Sequence, residues 1–169
     1  MSAAATAAAP AALAQDTIAR FYAAFARLDG QAMQACYAAD VQFDDEVFSL
    51  RGRDQVGGMW RMLCDAVKGK PDARAAWKLD VSQVTDRSAH WEAHYLFSAT
   101  GRKVLNRIDA EFEFDHAGLI VRHRDRFDFW AWSRQALGLP GLLLGWSPLL
   151  RRKVRTQAAA NLKRFLQKD

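Results

Sequence analysis

Cysteine is scarce in this chain of 169 residues. There are two, Cys36 and Cys64, far apart and both in segments that read as helix. That usage argues against a disulfide framework or a thiolate metal site and for reduced, packed thiols in a cytoplasmic setting. Long apolar runs are missing too, since none approaches the roughly 18 residues that a membrane span needs. Internal repeats are absent, and low-complexity sequence is confined to the start, "MSAAATAAAPAALAQ". Its "ALAQ" has the small residues of a signal cleavage site, but no Lys or Arg precedes it and its apolar stretch is mostly alanine. Residues 1–15 read as a flexible lead-in.

Charge of one sign is concentrated at one end. Seven of the 24 basic side chains lie in residues 151–169 against one acid there, leaving 17 basic and 18 acidic groups elsewhere. The net charge of +5 therefore belongs to a tail helix and not to the main fold. No stacking platform or recognition motif accompanies it, so nucleic acid is not an expected partner. What remains is an ordinary globular composition, half hydrophobic and a quarter charged, long enough for one domain with a real core.

Periodicity divides that domain. "DTIARFYAAFARL" (16–28) reads as a helix capped by Asp16, with Ile18, Phe21, Tyr22, Phe25 and Leu28 on one side, and "DG" stops it. A short helix follows over about 31–38, bringing Met33, Cys36 and Tyr37 together. "DVQFDDEVFSL" then turns extended. A third helix starts near Asp54 and buries Val56, Met59, Trp60, Leu63 and Val67 until "KGKPD" ends it. Its Gly57-Gly58 pair weakens the helix by about 1 kcal/mol per glycine relative to alanine, which suggests close packing there.

From residue 75 the period becomes two. Trp77, Leu79 and Val81 alternate with polar residues, as do Trp91, Ala93, Tyr95 and Phe97, and then Val104, Asn106, Ile108, Ala110, Phe112 and Phe114. The turn "DHAG" leads into "HRDRFDFW" (123–130), whose side chains sort into two faces. Arg122, Arg124, Arg126 and Asp128 share one, opposite the acidic residues of the preceding strand. His123, Asp125 and Phe127 share the other, so a carboxylate is sent toward the core. After a short helix ended by Gly138 and Pro140, Ser147-Pro148 starts a final basic helix with an apolar stripe of Leu150, Val154, Ala158, Leu162, Phe165 and Leu166. Such a stripe docks on the protein's own body or a partner, or lies on an anionic membrane surface.

The order of helix, "LDG" turn, short helix, "YAADVQFDD", glycine-rich helix and a sheet closing in "RHRDRFDF" resembles the nuclear transport factor 2-like superfamily over about residues 16–138. That group includes ketosteroid isomerase, limonene epoxide hydrolase and the SnoaL-like polyketide cyclases. The resemblance implies an α+β fold, a cone-shaped curved antiparallel sheet (an α+β barrel) wrapped around N-terminal helices. Residues 139–169 would form a C-terminal helical extension. Asp45 falls on the isomerase's catalytic base. The isomerase's oxyanion tyrosine would fall at Phe21, with Tyr22 one residue off phase, and its second acid at Ala110. The hydrolase's Arg-x-Asp would fall near Trp91 and Ala93. These departures argue against steroid isomerisation and against the hydrolase's water-orienting trio. In the SnoaL-like cyclases an aspartate near this position is the acid/base, which the resemblance carries to Asp125.

The resulting expectation is a pocket for a hydrophobic carbonyl or epoxide compound, worked by acid/base chemistry without cofactor or metal. Asp125, His123 and, in reserve, Asp45 are the candidate catalytic residues. Asn106, Tyr95, Tyr22, Trp60, Phe97, Phe112 and Phe127 are the candidate substrate-binding residues. A homodimer through the charged outer sheet face is expected. The competing reading is a non-catalytic ligand-binding or dimeric interaction module whose basic C-terminal helix contacts a partner or membrane surface.

Overall fold

Alternation builds the sheet. In β4 (Ser88–Leu96) and β5 (Lys103–Phe114), Ala89, Trp91, Ala93, Ile108, Ala110 and Phe112 are buried on one face, while Arg107, Asp109 and Glu111 stand on the other. The computed structural model describes residues 10–168. Four further strands complete a curved, unclosed sheet: β1 (Tyr37–Asp44), β2 (Ser49–Arg51), β3 (Lys78–Ser82) and β6 (Ile120–Arg126), in the order β2-β1-β6-β5-β4-β3. The expected antiparallel pairing holds except at one seam. There β1 runs parallel to β6, with Phe43 beside His123 and Asp44 beside Arg124. The intervening helices and strands form the long crossover that a parallel pair requires.

Helix α1 (Ala11–Ala26) buries Ile18, Phe21, Tyr22 and Phe25 against this sheet. It starts earlier than the expected cap, at Pro10, because alanine favours helix so strongly. Asp16 lies inside it and pairs with Arg20 at 3.0 Å. Of the lead-in expected over 1–15, residues 1–9 lie outside the described residues and 11–15 are helical. Thr17 donates from Oγ1 to the Gly118 carbonyl at 2.7 Å, pinning α1 to the β5–β6 turn. Helix α2 is only Gly30–Gln34, capped by Asp29, so Tyr37 belongs to β1 and not to a helix.

Helix α3 (Arg53–Lys68) starts after Gly52, with Asp54 inside its first turn. Its glycine pair does pack closely. A Cβ on Gly57 would lie 2.2 Å from the Gln34 side chain, and one on Gly58 2.3 Å from Leu166. Where only a turn was expected, Pro71 opens a further short helix, α4 (Pro71–Ala76). Helices α5 (Phe129–Leu137), α6 (Leu139–Leu144) and α7 (Pro148–Leu166) follow β6. Ser147 caps α7 by accepting the Leu149 N–H, as the Ser-Pro pair suggested. The apolar stripe of α7 docks on the chain's own body: Leu162 is buried, and Ala158 and Leu166 pack against the main core. Val154 joins a second cluster of Val104, Phe129, Trp132 and Ala136.

The outer sheet face is stitched by cross-strand ion pairs, among them Arg107–Glu92 at 3.1 Å and Arg126–Glu111 at 3.5 Å. No helix among the described residues is long and apolar enough to cross a membrane.

Leu162→Ala is expected to lower the unfolding free energy by about 2–5 kcal/mol, the usual range for a buried leucine. Leu149→Ala, at an exposed position of the same helix, should change it by no more than about 0.5 kcal/mol. Urea denaturation of both variants checks the pair.

Candidate functional site

Residues two apart on a strand share a face, so β6 sends both His123 and Asp125 inward, where they are 0% and 4% exposed. A buried carboxylate is costly unless it is hydrogen-bonded. Here His123 Nε2 meets Asp125 Oδ1 at 2.9 Å. The other ring nitrogen, Nδ1, meets the Tyr37 hydroxyl at 2.7 Å, and that hydroxyl accepts from Trp60 Nε1 at 2.8 Å.

The direction of this chain follows from its first member. An indole N–H can only donate, so the Tyr37 oxygen accepts from Trp60. His123 Nδ1 is the hydroxyl's one other partner among the described residues, so the phenol's own proton is satisfied there. Nδ1 then accepts, which leaves the Nε2 proton directed at Asp125. The carboxylate is held by one oxygen. Its Oδ2 makes no hydrogen bond among the described residues.

Five rings enclose the imidazole: Phe112 at 4.4 Å between centroids, Phe43 at 5.0 Å, Phe21 at 5.5 Å, Tyr37 at 6.0 Å and Trp60 at 6.2 Å. The expectation of an open, apolar-lined cone therefore needs correction at this level. Trp60 and Phe112 pack on His123, and the inner end is filled by side chains. Register explains it, since Phe43 and Phe112 flank His123 from both neighbouring strands. Asp125 has Ala110 beside it on β5, which presents only a methyl group.

Asp45 follows β1 at the level of Asp125. Its Oδ1 accepts the backbone N–H groups of Val47 at 2.6 Å and Phe48 at 2.5 Å, so it closes the β1–β2 turn. Burial pushes its carboxyl up to about 7 against the pull of those two bonds, with the negative charge of Asp125 contributing. It is not the solvated acidic loop that its neighbours Asp44 and Glu46 suggest.

Tyr22, off phase by comparison with the isomerase, is nonetheless buried, because α1 presents both Phe21 and Tyr22 to the core. Burial first, and then the charge of Asp125, hold its phenol well above the usual range. Its hydroxyl has no hydrogen-bond partner among the described residues, and neither has the indole N–H of Trp91, whose ring lies 6.3 Å from that of Tyr22. Two orphaned donors in a core call for an explanation.

The remaining candidates divide. Tyr95 accepts from Trp132 Nε1 at 2.8 Å, and burial together with the charge of Asp45 pushes its hydroxyl up to about 12. Phe97 packs edge-on against Trp132 at 5.3 Å. Phe97 joins the α5 cluster alone, while Tyr95 and Phe127 pack against both that cluster and the main core. Asn106, half-buried on β5 opposite Ala93, makes no side-chain hydrogen bond among the described residues. A groove of about 540 Å³ lies outside the cone between α7 and the β1–β2 turn, and its lining includes Val47 and Phe48. Among the described residues no three His, Cys, Asp or Glu side chains gather as metal ligands.

Two participants escape the sequence reading. Tyr37 was assigned to a helix, and the available signal was the buried His123, whose second nitrogen needs a partner. Trp91 falls on the inner strand face by alternation, which does not mark its indole N–H as unpartnered.

Tyr37→Phe should strand both the Trp60 N–H and His123 Nδ1, costing about 1–3 kcal/mol in urea denaturation. Nitrogen NMR of His123 should show loss of the single Nε2–H tautomer. For Asp45, a folded-state pKa raised from 3.8 to about 7 means that the native state holds the proton more tightly than the unfolded chain. This contribution is full below about pH 4 and is lost as pH rises through 7. Asp45→Asn, which keeps an acceptor oxygen, should therefore gain stability over the parent steadily between pH 4 and pH 7. A constant offset across that range would contradict the assignment.

A family model described as the SnoaL-like domain matches residues 18–123, more than half of the sequence. A candidate polyketide cyclase from Xanthomonas campestris pv. campestris superposes with a TM-score of 0.53 at 18% identity, covering 73% of this chain and 96% of its own. Another, from Pseudomonas putida, gives 0.54 at 19% identity, covering 73% and 97%. A candidate isomerase from Bacillus subtilis gives 0.53 at 16%, covering 75% and 94%. At such identities the structures speak for the fold alone. No protein in the curated set matches. With its curved six-stranded sheet and the matched segment from α1 to His123, the chain belongs to the SnoaL-like domain family of the nuclear transport factor 2-like superfamily.

Proposed function

We propose that this protein is a cofactor-independent acid/base enzyme acting on a hydrophobic carbonyl or epoxide compound, by isomerisation, cyclisation or hydration. The observation that carries this reading is the directed chain Trp60–Tyr37–His123–Asp125, which ends on a carboxylate with one oxygen free of hydrogen bonds. In the proposal that oxygen takes a proton from the substrate or from an attacking water, and His123 keeps the carboxylate oriented. The unpartnered donors of Tyr22 and Trp91 receive the substrate oxygen as charge develops on it. Asp45, with its carboxyl poised near 7, is the group able to return a proton at neutral pH. Tyr95, Phe97 and Phe127 would meet the apolar part of the substrate, with Asn106 as an inward amide.

Membership of the SnoaL-like domain family is compatible with this reading, while the similar structures bear on the fold and not on the reaction or the substrate. The proposal also places a second copy of the chain on the outer sheet face, where ion pairs already align the strands.

A second reading, a non-catalytic binding or interaction module, draws support from the close ring packing about His123. Proton exchange separates the two. Hydrophobic enolisable ketones are incubated with the protein in deuterium oxide, and loss of the α-hydrogen signal is followed by NMR. The enzyme reading expects exchange that Asp125→Asn slows by about 100-fold or more, with the variant's fold confirmed by circular dichroism. Equal exchange by parent and variant, or no ketone exchange and no epoxide ring opening above buffer, would leave the module reading standing.

A further inference from the structure

Residues 139–149 carry a surface that the candidate site does not use. Eleven large hydrophobic side chains are exposed among the described residues, and six of them fall in this one segment. Leu139 is 71% exposed, Leu143 64%, Trp146 72% and Leu149 73%, with Leu142 and Leu144 near half. Scattered apolar residues on a surface need no explanation, but a contiguous group does.

The geometry of α6 narrows the choice of partner. The helix rests on α5 through Gly141, where a Cβ would lie 1.8 Å from the Ser133 carbonyl oxygen. Its leucines are exposed. Leu142, Leu143 and Leu144 follow one another at about 100° per residue, so they girdle more than half of the helix. A protein partner laid against one side would leave part of that girdle in water. Immersion in an apolar medium covers all of it.

Charge completes the pattern. Arg152, Lys153 and Arg155 follow directly on α7, exposed and with no acidic partner among the described residues, while Arg151 pairs with Glu46 at 3.1 Å. Two tryptophans stand at the boundary. Trp146 is oriented by its N–H bond to the Leu143 carbonyl at 2.9 Å, and Trp130 by its bond to the Leu142 carbonyl at 3.2 Å. Exposed leucines, boundary tryptophans and adjacent cations are what an anionic lipid interface recognises.

We propose that the α6 segment inserts Leu142, Leu143, Leu144 and Trp146 into the surface of an anionic lipid bilayer, with Arg152, Lys153 and Arg155 on the headgroups. The docked stripe of α7 takes no part, since it packs on the protein itself. The proposal is independent of the chemistry assigned to Asp125.

The test sediments the full chain with vesicles of phosphatidylcholine alone and of phosphatidylcholine mixed with phosphatidylglycerol. Binding is expected to the mixed vesicles at low salt and to fall as salt rises. Leu143→Asp with Leu144→Asp should weaken it at least about ten-fold, with circular dichroism and Tm unchanged because both side chains are exposed. Failure of the parent to bind mixed vesicles, or equal binding by the double variant, overturns the proposal. So does a parent that dimerises through these leucines, as read by light scattering of parent and variant, and leaves the vesicles unbound.

Discussion

The hydrogen bond between Tyr37 and His123 is the contact on which the candidate site depends. It joins the first residue of β1 to the middle of β6 and fixes which imidazole nitrogen carries the proton. Without it, His123 could turn either nitrogen toward Asp125, and the carboxylate would lose its dedicated donor. The indole of Trp60 brings α3 into the same arrangement, so three separate elements meet in one hydrogen-bonded chain. A buried polar chain of this kind stabilises only when every member is satisfied. Here the members are satisfied as far as Asp125 Oδ1, and the unsatisfied groups, Tyr22 and Trp91, lie inside the same core.

Much of this was legible in the residues. Strand alternation placed His123 and Asp125 on the inner face and the arginines on the outer, and both placements hold. The Gly57-Gly58 pair announced a close approach, which α2 and α7 make. Ser147-Pro148 marked the start of α7. What alternation could not give was the neighbour across a seam. Tyr37 reaches His123 through a parallel register that no local pattern encodes, and its segment has the composition of a helix end. Nor does periodicity measure filling: the same aromatic residues that would line a hollow cone close it when Phe43, Phe112 and Trp60 converge on one ring. Asp45 misled for a related reason. Its acidic neighbours suggest water, while the turn it caps is folded inward.

The C-terminal extension is two devices in succession. Through Leu162, Ala158 and Leu166 the last helix joins the main core and lies across α3, and through Val154 it reaches the cluster that holds Tyr95 and Phe97. The segment just before it, α6, buries little beyond a glycine contact and leaves its leucines outside. The basic charge of the tail thus sits on the docked helix, while the undocked approach to it is apolar.

The parallel seam also has a consequence for how the molecule comes to be. Tyr37 and His123 are 86 positions apart in the chain, and the strands that bracket the site cannot be joined by any hairpin. Closing so large a loop costs chain entropy before the contact repays it, and topologies rich in such contacts fold slowly. The antiparallel run from β3 to β6 can assemble from neighbours, whereas the site waits for β1 to dock along β6. A chain released before residue 123 has been made carries α1 to α4 and no site at all. Assembly of the Tyr37–His123 bond is therefore a late event, and a probe of that histidine's tautomer would read the completion of folding.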